Sequence, residues 1–177
     1  MYEKNIIKAC LIAAAMLVSP ASYSQSQPLA GAGHAVDVEA APDKINLNKY
    51  DGMTGQDSIK AQIREVEGAL TSLFQDDYAG AVTKFRAAAK NGNPLAMNSL
   101  GVMYDQGLGV KQDYAESRIW YQVAIDHGSQ DAFYNLGVMY ADGQGGDVDA
   151  ERAQELLGEA CKLGDTEACD YAKSLSK

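Results

Sequence analysis

The sequence predicts an all-α fold, with antiparallel helix pairs stacked into a solenoid of about three helix–turn–helix units and a C-terminal capping helix. Three observations carry this expectation. The chain repeats itself at a fixed offset of 36 residues, and self-similarity at a period of roughly 20–50 residues marks stacked supersecondary units. Glycine and aspartate recur at matching places in each copy, where helices need C-caps and N-caps. No segment alternates apolar and polar residues for long enough to read as a strand.

The first segment stands apart from that fold. "MYEKNIIK" supplies Lys4 and Lys8, "ACLIAAAMLV" over residues 9–18 is a short apolar run, and "SPASYS" brings Pro20 and the small residues Ser22 and Ser24. This is the pattern of a secretory signal peptide over residues 1–24, with cleavage expected after Ser24. A membrane anchor fits less well, because a spanning helix needs ~20 apolar residues. A lipoprotein also fails, because Cys10 stands at the start of the apolar run and not after it. The expected location is periplasmic or secreted, with no stable membrane insertion after signal cleavage.

The signal carries two lysines and one glutamate, so its removal takes the formal net charge from −9 to −10. So acidic a chain is a poor candidate for nucleic acid or anionic membrane surfaces. It would favour a basic partner.

Residues 25–56 mix Gly, Pro, Ala and polar residues without helical periodicity and read as a flexible lead-in. The repeat domain is expected over residues 57–177. Asp57 and Ser58 are N-cap types ahead of the helix-favouring "IKAQIREVEGALTSLF". Residues 57–93 read as a degenerate unit, 94–129 as repeat 1, 130–164 as repeat 2 and 165–177 as the capping helix. "LGVMY" at 100–104 returns at 136–140; Gly107, Gly109, Asp113, Ala124 and Gly128 return as Gly143, Gly145, Asp149, Ala160 and Gly164. Within a unit, helix A is expected over about Leu95–Asp105 and is ended by Gly107. Asp113 caps helix B, and Gly128 ends it. Gly101 and Gly137 let the two helices approach closely. One such hairpin cannot bury its apolar face alone, so neighbours must stack.

The stretches "AMNSLGVMYDQGLGVKQDY…WYQVAIDHG" and "AFYNLGVMYADGQGGDVD…AC" resemble the Sel-one-like repeat, a relative of the tetratricopeptide repeat. The resemblance covers roughly residues 94–172, and residues 58–93 look more tetratricopeptide-like. It implies a right-handed α-solenoid. Two departures stand in the last unit: Gly146 replaces Val110, and Leu156–Leu157 replace Trp120–Tyr121.

Of three cysteines, Cys10 leaves with the signal, and Cys161 and Cys169 remain. In an oxidising compartment an even pair reads as a disulfide. At the repeat offset, Cys161 matches Ile125 and Ala89, and Cys169 matches Phe133 and Met97, so sulfur replaces an apolar contact between the end of one helix B and the start of the next helix A. A bridge there would fasten the last helix, which has no following unit to cover it. A metal site is disfavoured by two thiols with no nearby His, and a redox pair by the absence of Cys-x-x-Cys. The spacing is similar to that of the cysteine-rich secreted members of the family.

No catalytic, cofactor-binding or metal-binding constellation stands out. His34 lies in the lead, and His127 sits in the last turn of a helix B, where Asn91 and Leu163 are its equivalents. "SLSK" at 174–177 matches Ser-x-x-Lys only formally, and "GQGG" at 143–146 is a turn inside the repeat with no strand before it.

The expected function is therefore that of an exported, non-enzymatic scaffold for a protein or peptide partner. Resemblance to tetratricopeptide units implies a groove lined by Asn98, Val102, Asp105, Gln106, Tyr134, Val138, Ala141 and Asp142. A periplasmic immunity or inhibitor protein against a secreted toxin or envelope enzyme is a second class. A β-lactam-binding or hydrolysing enzyme, by family association alone, is a third.

Overall fold

The computed structural model describes residue 53 and residues 55–175. The described residues form seven helices and no strand: α1 Gly55–Phe74, α2 Tyr78–Lys90, α3 Pro94–Gln106, α4 Tyr114–Asp126, α5 Asp131–Asp142, α6 Ala150–Lys162 and α7 Thr166–Leu175. Each helix packs chiefly on its neighbours in the chain, as a solenoid requires. The signal peptide and most of the lead-in expected from the sequence lie outside the described residues.

The starts of the B helices follow the 36-residue period. Asp77, Asp113 and Asp149 each accept a hydrogen bond from the backbone N–H three residues on, at 2.9, 3.0 and 2.9 Å. Asn93 and Asp165 cap α3 and α7 in the same way, each at 3.0 Å. Such a side chain satisfies one of the donors a helix leaves open at its N-terminus. The first helix departs from the sequence reading. It begins at Gly55, so Asp57 sits in the first turn, where its charge suits the helix dipole. Ser58 is buried, and its hydroxyl accepts from Gln62 at 3.1 Å.

The helix ends repeat too. Ser129 N–H reaches Ala124 O and Gly128 N–H reaches Ile125 O. The same two bonds close α2 at Gly92–Asn93 and α6 at Gly164–Asp165. This is the Schellman pattern. Helices α3 and α5 end on left-handed Gly107 and Gly143, with Leu108 N–H reaching Met103 O and Gln144 N–H reaching Met139 O.

Stacking between units depends on the turns. Gly109 and Gly145 have φ of +71° and +80°, and a β-carbon on them would stand 2.4 Å from the Tyr78 carbonyl and 2.5 Å from that of Tyr114. Each turn thus rests on the first residues of helix B in the preceding unit. A side chain there would strain the backbone and push the units apart.

One apolar core runs through the stack from Val66 and Leu73 through Phe85, Met97, Leu100 and Trp120 to Leu136 and Leu156. A smaller cluster, Leu157, Ala160 and Ala168, seats α7. Ala168 is the single fully buried residue of that helix, so α7 holds little of the core. A disulfide between Cys161 and Cys169, with α-carbons 4.7 Å apart, ties it to α6. At the equivalent places Ala89 and Met97 are fully buried, and Ile125 and Phe133 are partly buried against the core.

The departures in the last unit have a structural account. Leu157 meets Gly137 as Tyr121 meets Gly101, so a smaller side chain fills the same slot. Gly146, in place of Val110, makes room for Arg118: a β-carbon there would stand 2.7 Å from its Nη1. Arg118 lies 4.2 Å over the Tyr140 ring and donates from Nη2 to Met139 O at 2.9 Å. Its Nε is buried and meets no acceptor among the described residues.

Candidate functional site

The A helices α3 and α5 carry the residues expected to line a groove. Their last turns place Asp105 and Asp142 at the negative ends of the helix dipoles, and neither last turn holds a basic residue. Acids there are unfavourable for the helix. Between α3 and α5 lies a half-open pocket of about 120 Å³. Asp105, Tyr121, Tyr134, Asn135, Val138 and Gln144 line it, with the buried Met139. It is smaller than the ~300–1,000 Å³ usual for small-molecule sites.

Asp105 is the charged member. Among the described residues its carboxylate accepts from the Gln106 side chain. Burial raises its pKa above the ordinary carboxylate value, and the Gln106 bond only partly opposes this. The Tyr121 hydroxyl is pushed above its usual range, first by burial and then by the Asp105 charge, with Ser117 acting the other way.

Tyr134 donates to Glu167 of α7 at 2.9 Å. Burial, and then the Glu167 bond and nearby negative charge, push its hydroxyl up to about 12. Tyr171 of α7 donates to Asp142 at 3.2 Å. The disulfide-tied α7 therefore borders the same surface.

The eight expected groove residues are not equivalent. Asp105, Tyr134 and Val138 meet at the pocket. Asn98 is 3% exposed, and its Oδ1 accepts from Asn135 at 3.2 Å, so it joins two units. Val102 is half-buried against the core. Gln106 and Asp142 are exposed, and Ala141 is half-buried. The sequence reading did not include Tyr121, Asn135, Met139 or Gln144. Tyr121 comes from a helix B, Asn135 and Met139 each follow an expected position by one residue, and Gln144 lies two residues past Asp142.

The chemically suggestive residues lie elsewhere. His127 caps the C-terminus of α4 and is half-buried; burial lowers its pKa, and Asp126 opposes this. His34 is outside the described residues. Ser174 donates back to the Tyr171 carbonyl at 2.7 Å inside α7. "GQGG" forms the turn after α5. Among the described residues no group of three or more His, Cys, Asp or Glu is placed to hold a metal ion, and no helix is long and apolar enough to cross a membrane.

Comparison with known proteins agrees with this architecture. The Sel1 repeat model matches residues 94–129 and 131–165. A Sel1 repeat protein from Oxalobacter formigenes has a similar structure, at 28% identity and a TM-score of 0.59, over 72% of this chain and 39% of that one. Cysteine rich protein B of Helicobacter pylori shares the fold at 23% identity and a TM-score of 0.55, over 66% of this chain and 92% of that one. A protective antigen of uropathogenic Escherichia coli strains, with an SLR fold, is similar at 34% identity and a TM-score of 0.56, over 71% and 27%. The chain thus spans about two fifths of the Oxalobacter protein and about a quarter of the Escherichia coli antigen. No curated protein sequence matches it.

Proposed function

We propose that this chain, which carries two Sel1 repeats, is an exported, non-enzymatic scaffold that holds a protein or peptide segment along α3 and α5. The fold suggests a protein-interaction role, since stacked helix pairs present an extended surface for a partner. The observation that carries the reading is the pocket where Asp105, Tyr134 and Val138 meet, with a desolvated acid beside aromatic and apolar surface. Such a mixture suits a segment that offers both apolar and basic side chains.

Export is supported by two features: the basic, apolar and small-residue sequence of the first 24 positions, and the Cys161–Cys169 disulfide, a bond that persists in oxidising compartments. Acidity favours a basic partner.

The test is capture from envelope extract with the oxidised chain, followed by cross-linking and mass spectrometry. The expected result is a partner cross-linked to α3 and α5 and lost on charge reversal by Asp105→Lys with Asp142→Lys, while the melting temperature is not lowered. A partner cross-linked outside these helices, or one indifferent to the reversal, contradicts the reading. A basic secreted enzyme as the captured species would place the chain among inhibitors or immunity proteins.

A further inference from the structure

We propose that the pocket between α3 and α5 is a seat for one basic side chain, a lysine or arginine carried on an extended segment of the partner. This rests on the scaffold reading and narrows it to one position and one chemistry.

Size, charge and flanking surface agree. A pocket of about 120 Å³ falls below the ~300–1,000 Å³ of small-molecule sites, which suits a single long side chain and not a cofactor. Asp105 is half-buried in its wall, at the negative end of α3, and among the described residues no basic side chain is bonded to its carboxylate. Burial disfavours its charged form. An incoming cation would relieve both the desolvation and the dipole conflict, which water does less well.

The surroundings add acceptors and aromatic faces. Asn135 spends its amide nitrogen on Asn98, and among the described residues nothing donates to its carbonyl oxygen. Tyr134, partly exposed, supplies a ring on which a guanidinium or the stem of a lysine can lie, and the buried Tyr121 forms part of the wall. Glu167, bonded to Tyr134, extends the negative field toward α7.

The experiment is selection of a displayed random 12-residue peptide library on the oxidised full chain and on Asp105→Asn. The wild type should enrich peptides with a lysine or arginine at one fixed position. Replacing that residue with citrulline or norleucine, or using Asp105→Asn, should weaken binding at least about tenfold. Cross-links from the bound peptides should fall at the pocket. Enriched peptides that lack a basic residue yet map to α3 and α5 overturn the seat and leave the scaffold standing. Peptides that map elsewhere overturn both. Equal binding by wild type and Asp105→Asn, or cross-links that show Lys44 or Lys49 of the chain itself in the pocket, also overturn it.

Discussion

Gly101 of α3 lies so close to Tyr121 of α4 that a β-carbon on it would stand 2.5 Å from two carbons of the ring. One unit later Gly137 meets Leu157, and a β-carbon there would stand 2.8 Å from Cγ. This close approach of helices A and B therefore repeats at the period of the sequence, although the side chain that fills the gap changes. Gly158, on α6, has nothing among the described residues within 4 Å of a β-carbon position.

These glycines should respond in opposite directions to the same substitution. Gly101→Ala should destabilise by roughly 1–3 kcal/mol, because the Tyr121 ring is buried and cannot yield without moving α4. Gly158→Ala should stabilise by up to about 1 kcal/mol, since alanine is the better helix residue and meets no obstacle. Urea melts of the two variants check this; a neutral Gly101→Ala would mean that the helices have slack at their crossing.

The disulfide should matter most at one end of the molecule. α7 buries little beyond Ala168, and a helix of its length is marginal alone. Closing the short loop between Cys161 and Cys169 should contribute about 2–3 kcal/mol on the chain-entropy model. Cys161→Ser with Cys169→Ser should lower stability by that order and raise amide exchange first in α7, ahead of α3 and α4. Uniformly faster exchange along the whole chain would show that α7 is held by packing and not by sulfur.

Much of this architecture was legible because it repeats. The offset of 36 residues located Gly107, Asp113, Gly128 and their copies, and each serves as a cap or closing turn in the structure. The cysteine pair was legible for the same reason, since Ala89–Met97 and Ile125–Phe133 mark the same junction. What the offset could not supply were features that break the period. Arg118 has Val82 and Gln154 as its equivalents, so nothing in the pattern announced that its guanidinium would lie over Tyr140 or that Gly146 would open space for it. The pocket was half legible. Asp105, Tyr134 and Val138 follow from resemblance to a helix A surface, but Tyr121 reaches the pocket from a helix B, and a pattern that assigns faces helix by helix does not see it.

Replacing the groove acid should make the protein more stable. Asp105 is an anion in the last turn of α3, desolvated and bonded to Gln106 alone among the described side chains. A charge that opposes the helix dipole costs about 0.3–1 kcal/mol, and the half-exposed position puts it toward the lower end. Asp105→Asn should therefore raise the melting temperature at neutral pH by roughly 1–4 °C. The pH dependence gives the sign independently. Burial raises the folded-state pKa of Asp105 above the ordinary carboxylate value of 3.8, so the folded chain takes up this proton before the unfolded chain does. Its contribution to stability grows as pH falls through the folded value and levels off below 3.8. The gap between wild type and Asp105→Asn should thus be widest near neutrality and close on acidification, which melts at a series of pH values will show. A drop in melting temperature for Asp105→Asn at neutral pH would mean that the carboxylate stabilises the fold, and the physical reason for regarding it as a residue kept for a ligand would be gone.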